Sequence, residues 1–171
     1  MSEFDPFAAE WISYAKSPQY TLVEKCLKLS QVLEFPNLDI TEYVQKLRSF
    51  DQGLRDHVSE VKNPIYLVSM LNEYMFDILE FQGDSDDYYN PRNNFLNVVM
   101  DKRSGIPITL SIIYIEVAKA IGLELRPVGF PGHFLVKYSE ELILDPFNRG
   151  SLLDIEDLQD ILDATYGEGV E

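Results

Sequence analysis

The segment from Gly105 to Gly122, GIPITLSIIYIEVAKAIG, restricts the fold of this chain more than any other stretch. Its first half alternates, with Ile106, Ile108, Leu110 and Ile112 separated by Pro107, Thr109 and Ser111, a period that suits a strand. Its length argues for a helix. The run extends sixteen residues to Ile121, closes on a Gly122 suited to a helix C-terminus, and carries Pro107 where a first-turn proline falls. We read a helix that is apolar on nearly every side, which can exist in water only at the centre of a domain, with other elements packed around it. At 171 residues and 46% hydrophobic, the chain can supply that cover as a single domain over residues 1–171.

The N-terminal half, residues 1–82, reads as four helices. A short one over residues 7–16 places Phe7, Trp11, Tyr14 and Ala15 on one side and ends at Pro18. From Thr21 to Leu33 the residues Leu22, Cys26, Leu29 and Leu33 form a seam, and Cys26 within it reads as a small buried hydrophobe. Asp39 and Glu42 look like a capping pair for a third helix through Val44, Leu47 and Leu54, which Gly53 is expected to break early. His57, with Asp56 and Glu60 nearby, reads as a solvated face rather than a metal site. Asn63-Pro64 opens the fourth helix, with a seam of Leu67, Val68, Leu71, Met75, Ile78 and Leu79.

Gln82 to Arg92 is a polar loop. Its Asp84, Asp86 and Asp87 resemble the opening of a calcium loop, but the required glycine and terminal glutamate are absent. Residues 93–103 suggest a short helix with Phe95, Leu96, Val99 and Met100 inward, stopped by Gly105. After the apolar helix come three short strands, Glu124 to Val128, His133 to Tyr138 and Glu141 to Leu144, and then a capped helix from about Asp154.

Twenty-nine acidic against fourteen basic residues give a formal charge of −15. That surface disfavours nucleic acid and anionic membrane and suits a basic partner. One cysteine excludes an internal disulfide, and neither a transmembrane-length apolar run nor a basic, apolar leader is present, so a cytoplasmic protein is expected. No Gly-rich phosphate loop or Cys-x-x-Cys pair calls for a cofactor or metal.

Several motifs in order, Tyr88-Tyr89-Asn90-Pro91, Asn93-x-x-Leu-Asn97, Gly105-Ile-Pro-Ile-Thr-Leu-Ser, Pro131-Gly-His-Phe-Leu and Leu144-Asp-Pro-Phe, resemble the SirB-type family of transglutaminase-like proteins. The resemblance covers roughly residues 20 to 165. It implies an α+β fold, with an N-terminal helical layer packed on a core of one buried helix against a small antiparallel sheet, that core lying within 93–165. Longer members carry a tetratricopeptide-type tail, which this sequence is expected to lack.

In transglutaminase-like enzymes a cysteine opens the buried helix, a histidine on an adjacent strand is its base, and a carboxylate one strand further orients the imidazole. The resemblance places His133 and Asp145 at the last two positions and Pro107, which has no nucleophile, at the first. Ser111 and Thr109 are the candidate substitutes. Ser111 shares the face of Pro107 one turn deeper, where its expected role is to bond the Pro107 carbonyl, and Thr109 points the opposite way. For His133 two readings stand: a base or ligand-binding group held by Asp145, or half of a pair that ties two strands together. Asn94, Asn97 and Arg103, with Pro107, are read as lining the cleft, the polar three alternatively as satisfying loop backbone.

The expectation is therefore a non-catalytic protein-interaction or scaffold module with a protein or peptide partner, basic in character. Relatives that join this domain to repeat tails or ubiquitin-ligase subunits support recognition over turnover. The competing expectation is a hydrolase or amide-bond transferase using His133 and Asp145 with a hydroxyl or water.

Overall fold

The computed structural model describes residues 6–59 and 63–167, with side chains from residue 9 onward, so the reading on Glu60 and that on the Phe7 side chain fall outside what is described. Four helices open it: α1 (Pro6–Lys16), α2 (Leu22–Leu33), α3 (Ile40–His57) and α4 (Pro64–Asn72). Their starts follow the capping chemistry of the sequence. Thr21 Oγ1 accepts from the Glu24 amide while the Glu24 carboxylate accepts from the Thr21 amide, a closed capping box. Asp39 accepts from the amides of Thr41 and Glu42, and Asn63 from those of Ile65 and Tyr66 ahead of Pro64.

Three helical expectations are corrected. The buried line of α2 is Val23, Leu27 and Ser30, not the Leu22-Cys26-Leu29-Leu33 seam, and Leu22 and Leu33 are exposed. Ser30 can sit inside because its hydroxyl donates to the Cys26 carbonyl one turn back. Gly53 does not end α3; the Tyr74 ring crosses the helix there, and a β-carbon at 53 would lie 2.9 Å from the ring's Cζ. Finally, α4 runs into a π-helical turn, Glu73–Ile78, whose one extra residue rotates the downstream side chains by about 100°. Tyr74, Met75 and Phe76 all face inward, and Ile78 of the expected seam is turned out to solvent.

The 82–92 loop opens with a two-residue strand, β1 (Gln82–Gly83), parallel to β2 (Ser104–Gly105). Between them lie a 3₁₀ turn at Pro91–Asn94 and α5 (Leu96–Lys102). Leu96, Val99 and Met100 are buried as expected, but α5 ends on Arg103 in the left-handed conformation (φ 59°), two residues before Gly105, because the chain must turn there to pair β2 with β1.

The apolar segment forms α6 (Pro107–Ala118), continued by a 3₁₀ turn to Ile121 and closed by Gly122 at φ 72°. Leu110, Ile113, Tyr114, Val117 and Ala118 are all essentially inaccessible to solvent. Helices α2, α3 and α5 and the sheet pack around it. That sheet is a four-stranded antiparallel meander, β3 (Arg126–Phe130), β4 (His133–Ser139), β5 (Leu142–Asp145) and β6 (Ser151–Leu153), followed by α7 (Ile155–Tyr166). The architecture is α+β, as the sequence implies. The first strand begins two residues later than its β-propensity suggests, and β6 went unread because Ser-Leu-Leu is too short to show a period.

Asn72, at the junction of α4 and the π turn, ties this assembly together. Its Oδ1 accepts from the buried Tyr114 hydroxyl (2.6 Å), and its Nδ2 donates to the Gly150 carbonyl (2.9 Å) just before β6. Gly150 is at φ 68° and has no room for a β-carbon against the Asn72 amide. Asn72→Ala removes both bonds and strands a buried phenol, so a stability loss of about 2–4 kcal/mol is expected in urea unfolding.

Candidate functional site

Antiparallel pairing of β4 with β5 brings the first residue of one strand beside the last residue of the other. The register, Val136 opposite Leu144, puts His133 and Asp145 on the same face, because each lies an odd number of residues from that pair. A two-residue Pro131-Gly132 turn, with Gly132 at φ 70°, delivers His133 directly from β3. His133 Nε2 and Asp145 Oδ2 are 2.7 Å apart.

Asp145 is buried, with 1% of its side chain exposed, and every oxygen has a partner. Oδ1 accepts from the amides of Phe147 and Asn148, capping the 3₁₀ turn Pro146–Asn148, and Oδ2 accepts from Asn148 Nδ2 at 2.6 Å as well as from His133. Burial pushes this carboxyl's pKa up, but the bonds from His133 and Asn148 and the histidine's charge outweigh it and hold the group below the ordinary carboxylate value. An ionised carboxylate only accepts, so the shared proton sits on Nε2 and a neutral imidazole keeps its lone pair on Nδ1. The Phe147 and His133 rings are nearly perpendicular with centroids 6.0 Å apart, and Tyr88 packs on Phe147 in the same way, its centroid 5.9 Å away.

His133 opens into a small cleft of about 230 Å³ whose other walls include Tyr88, Pro107 and Gly132. Pro107 is the first residue of α6 and buried, so the positive end of the helix dipole meets the histidine at a side chain without a reactive atom. The candidate nucleophiles are elsewhere. The Ser111 hydroxyl is fully buried and directed at the Phe134 carbonyl of β4 (3.5 Å), not at that of Pro107, because this face of α6 lies against the sheet. Thr109 is bonded to both the amide and the carbonyl of Ile106 and faces the α2 side of α6, on an apolar groove shared with Cys26. Burial raises the Cys26 thiol's pKa, the opposite of an activated cysteine.

The three polar residues read as lining the cleft do not reach it. Asn94 is exposed, donates to the Pro91 carbonyl and borders the Cys26 groove. Asn97 lines a different cavity, between α5 and the α2-α3 connection. The Arg103 guanidinium stacks between Phe50 (4.4 Å) and Phe81 (4.8 Å). They scatter because each belongs to a different local element: Asn94 closes the 3₁₀ turn, Asn97 lies on α5, and Arg103 follows α5 in the left-handed conformation. Sequence reasoning missed Phe147 and Asn148, although Asp-Pro-x-Asn is a capped turn whose asparagine returns to its own aspartate. The acidic loop is also accounted for: Asp84 and the Asp87 carbonyl accept from buried Asn93, and the Asp87 carboxylate from Asn90. No group of three or more metal-ligating side chains able to hold an ion occurs among the described residues, and no described helix is long and apolar enough to cross a membrane.

The sequence pattern of the transglutaminase-like superfamily matches residues 41–171. The chain is 42% identical over 130 residues to a UPF0162 protein of Xylella fastidiosa, covering 74% of this chain and 46% of that protein. It is 26% identical over 140 residues to a UPF0162 protein of Pseudomonas aeruginosa, covering 81% and 45%. With F-box only protein 21 of Homo sapiens it shares 29% over 135 residues, covering 70% of this chain and 22% of that protein. The chain thus spans about half the length, or less, of these curated relatives. No solved structure matches it significantly.

The depressed Asp145 carboxyl sets an acid limb to stability. Its contribution is complete above the ordinary carboxylate pKa of about 4 and is lost as pH falls through its lower folded value. Asp145→Asn should be less stable than wild type at neutral pH, and the gap should close as the medium is acidified below about pH 4. Denaturant titrations at several pH values measure it, and a gap constant down to about pH 2 would contradict the assignment.

Proposed function

The chain belongs to the transglutaminase-like superfamily, and from that premise we propose that it is a non-catalytic interaction module that keeps the His133-Asp145 pair of the fold without a nucleophile. The observation carrying this reading is Pro107, buried at the head of α6 and facing His133 across the cleft. A proline there suits a helix start and offers no lone pair for attack. Neither Ser111 nor Thr109 lines that cleft, so no hydroxyl substitutes for the thiol. The match to only part of longer relatives, one of them named an F-box protein, supports a recognition unit used within larger proteins. With a net charge of −15, a protein or peptide partner carrying basic residues fits best, in a cytoplasmic setting.

One observation favours a second reading, a hydrolase or amide-bond transferase. Ionised Asp145 fixes the imidazole so that Nδ1 is free to take a proton from a water in the cleft.

The two readings separate in covalent capture and turnover assays. Wild type is expected to form no adduct with serine, threonine or cysteine probes beyond slow labelling of the free Cys26, and to turn over no ester or amide. Pro107→Cys should gain a thiol that iodoacetamide alkylates faster than Cys26, with the gain lost in Pro107→Cys/His133→Ala. Wild-type turnover that vanishes in His133→Ala, with the fold intact by circular dichroism, would establish the enzyme instead. Basic peptide pools should bind more tightly than acidic ones in fluorescence anisotropy, and the difference should shrink as salt is raised.

A further inference from the structure

Helix α7 leaves most of its surface to solvent. It rests on the molecule through β6 and through Thr165, which closes on Gly132 so tightly that a β-carbon there would lie 3.1 Å from Thr165 Cγ2. No residue of α7 is buried. At about 100° per residue, Ile155, Leu162 and Tyr166 fall within about 40° of one another and form an apolar stripe about 17 Å long. Ile155 is 84% and Tyr166 62% exposed, with Leu162 half-buried between them. Their spacing of seven and then four residues is that of a seam by which one helix packs on another, with Gln159 at the intervening seam position.

A second row runs beside this stripe. Glu156, Asp160 and Asp163, at i, i+4 and i+7, lie within about 60° of one another and about 100° round the helix from the apolar residues. Among the described residues none of the three has a cation within ion-pair distance, and the sequence holds no Lys, Arg or His from Gly150 to Glu171. Asp154 and Asp157, by contrast, are committed to the capping box that starts the helix. The free row works against its own helix. Glu156 and Asp160 repel across one turn, and Asp163 stands in the last turn, at the negative end of the helix dipole, where α7 has no basic residue. A line of cations laid alongside would relieve both.

The geometry points to α7 as the docking surface for a basic amphipathic helix of a partner protein. The partner's apolar face lies on Ile155, Leu162 and Tyr166, and its Lys or Arg side chains run along Glu156, Asp160 and Asp163. A second copy docking through the same helix would oppose two acidic rows, and an anionic membrane would present charge of the same sign. The inference rests on the reading of the chain as a module for a basic partner, and it locates the contact on a surface that does not line the His133 cleft.

Fluorescence anisotropy on the full chain tests it with a labelled helical peptide of about 14 residues, leucine along one face and lysine on its flanks. The controls are a scrambled peptide of the same composition and a helix with glutamate in place of lysine. The lysine helix should bind saturably and about tenfold or more tighter than the scrambled peptide. Ile155→Ser/Tyr166→Ser should weaken it about tenfold with no fall in melting temperature, since both side chains are exposed. Glu156→Lys/Asp160→Lys/Asp163→Lys should lose the lysine helix and gain the glutamate helix, a reversal that diffuse attraction to a still acidic chain would not give. Undiminished binding of the lysine helix in both variants, or equal binding of the scrambled peptide, would overturn the assignment to α7 and leave the basic-partner reading standing. So would binding of basic peptide pools without binding of the lysine helix. If neither the pools nor the helix bind at about 1 mM, the underlying reading fails as well.

Discussion

Burial of α6 is the constraint on which the remaining structure depends. A helix with Leu110, Ile113, Tyr114, Val117 and Ala118 all inaccessible is open to solvent only along the line of Ile108, Ile112, Ile115 and Glu116, so most directions around it need a partner. Helices α2, α3 and α5 cover one side and β4 another. The same burial fixes where the polar groups must bond. The Tyr114 hydroxyl cannot reach water, and burial drives its pKa upward, so it needs an acceptor inside the protein. Asn72 supplies it from the π turn and uses its other end on Gly150. The irregular turn at 73–78 is thereby coupled to the strand end that carries Asp145, through the Gly150 amide, which donates to the Asp145 carbonyl.

How much of this was legible depended on whether the deciding interaction was local. The caps at Thr21, Asp39 and Asn63 are local, and they appear where the residues call for them. The identity of α6 as a helix was readable from length and its flanking glycine although its first seven residues alternate like a strand. The His133-Asp145 pair was legible only through the order of motifs, since nothing in composition brings residues twelve apart in sequence to 2.7 Å. What was not legible is where helices rotate. The α2 seam is offset by one residue because tertiary packing, not the count of leucines, selects the buried face, and Gly53 reads as a breaker until the Tyr74 ring is seen across it. The cleft assignments of Asn97 and Arg103 failed for the same reason, since a sequence gives neighbours along a helix but not which cavity each one meets.

Proline at the head of α6 exchanges one property for another. A cysteine there would sit at the positive end of the helix dipole facing an imidazole, an arrangement that stabilises a thiolate. Proline at the first helical position lacks only an N–H that would have no partner within the helix, and its fixed φ is already helical. A proline at 107 thus favours the central helix where a cysteine would have suited reactive chemistry, which accords with the interaction module proposed above.

Retention of the histidine-carboxylate pair is weaker evidence for catalysis than it looks. Asp145 holds together the turn after β5 by accepting from two backbone amides and Asn148, and it is buried while doing so. A buried carboxylate must be compensated, and His133 is one of its donors. Removing the imidazole would leave that charge with fewer partners at the junction of β4 and β5. The pair therefore has a structural reason to be present whether or not a nucleophile faces it. Of Pro107, His133 and Asp145, the residue at 107 is the one not tied into that hydrogen-bond network.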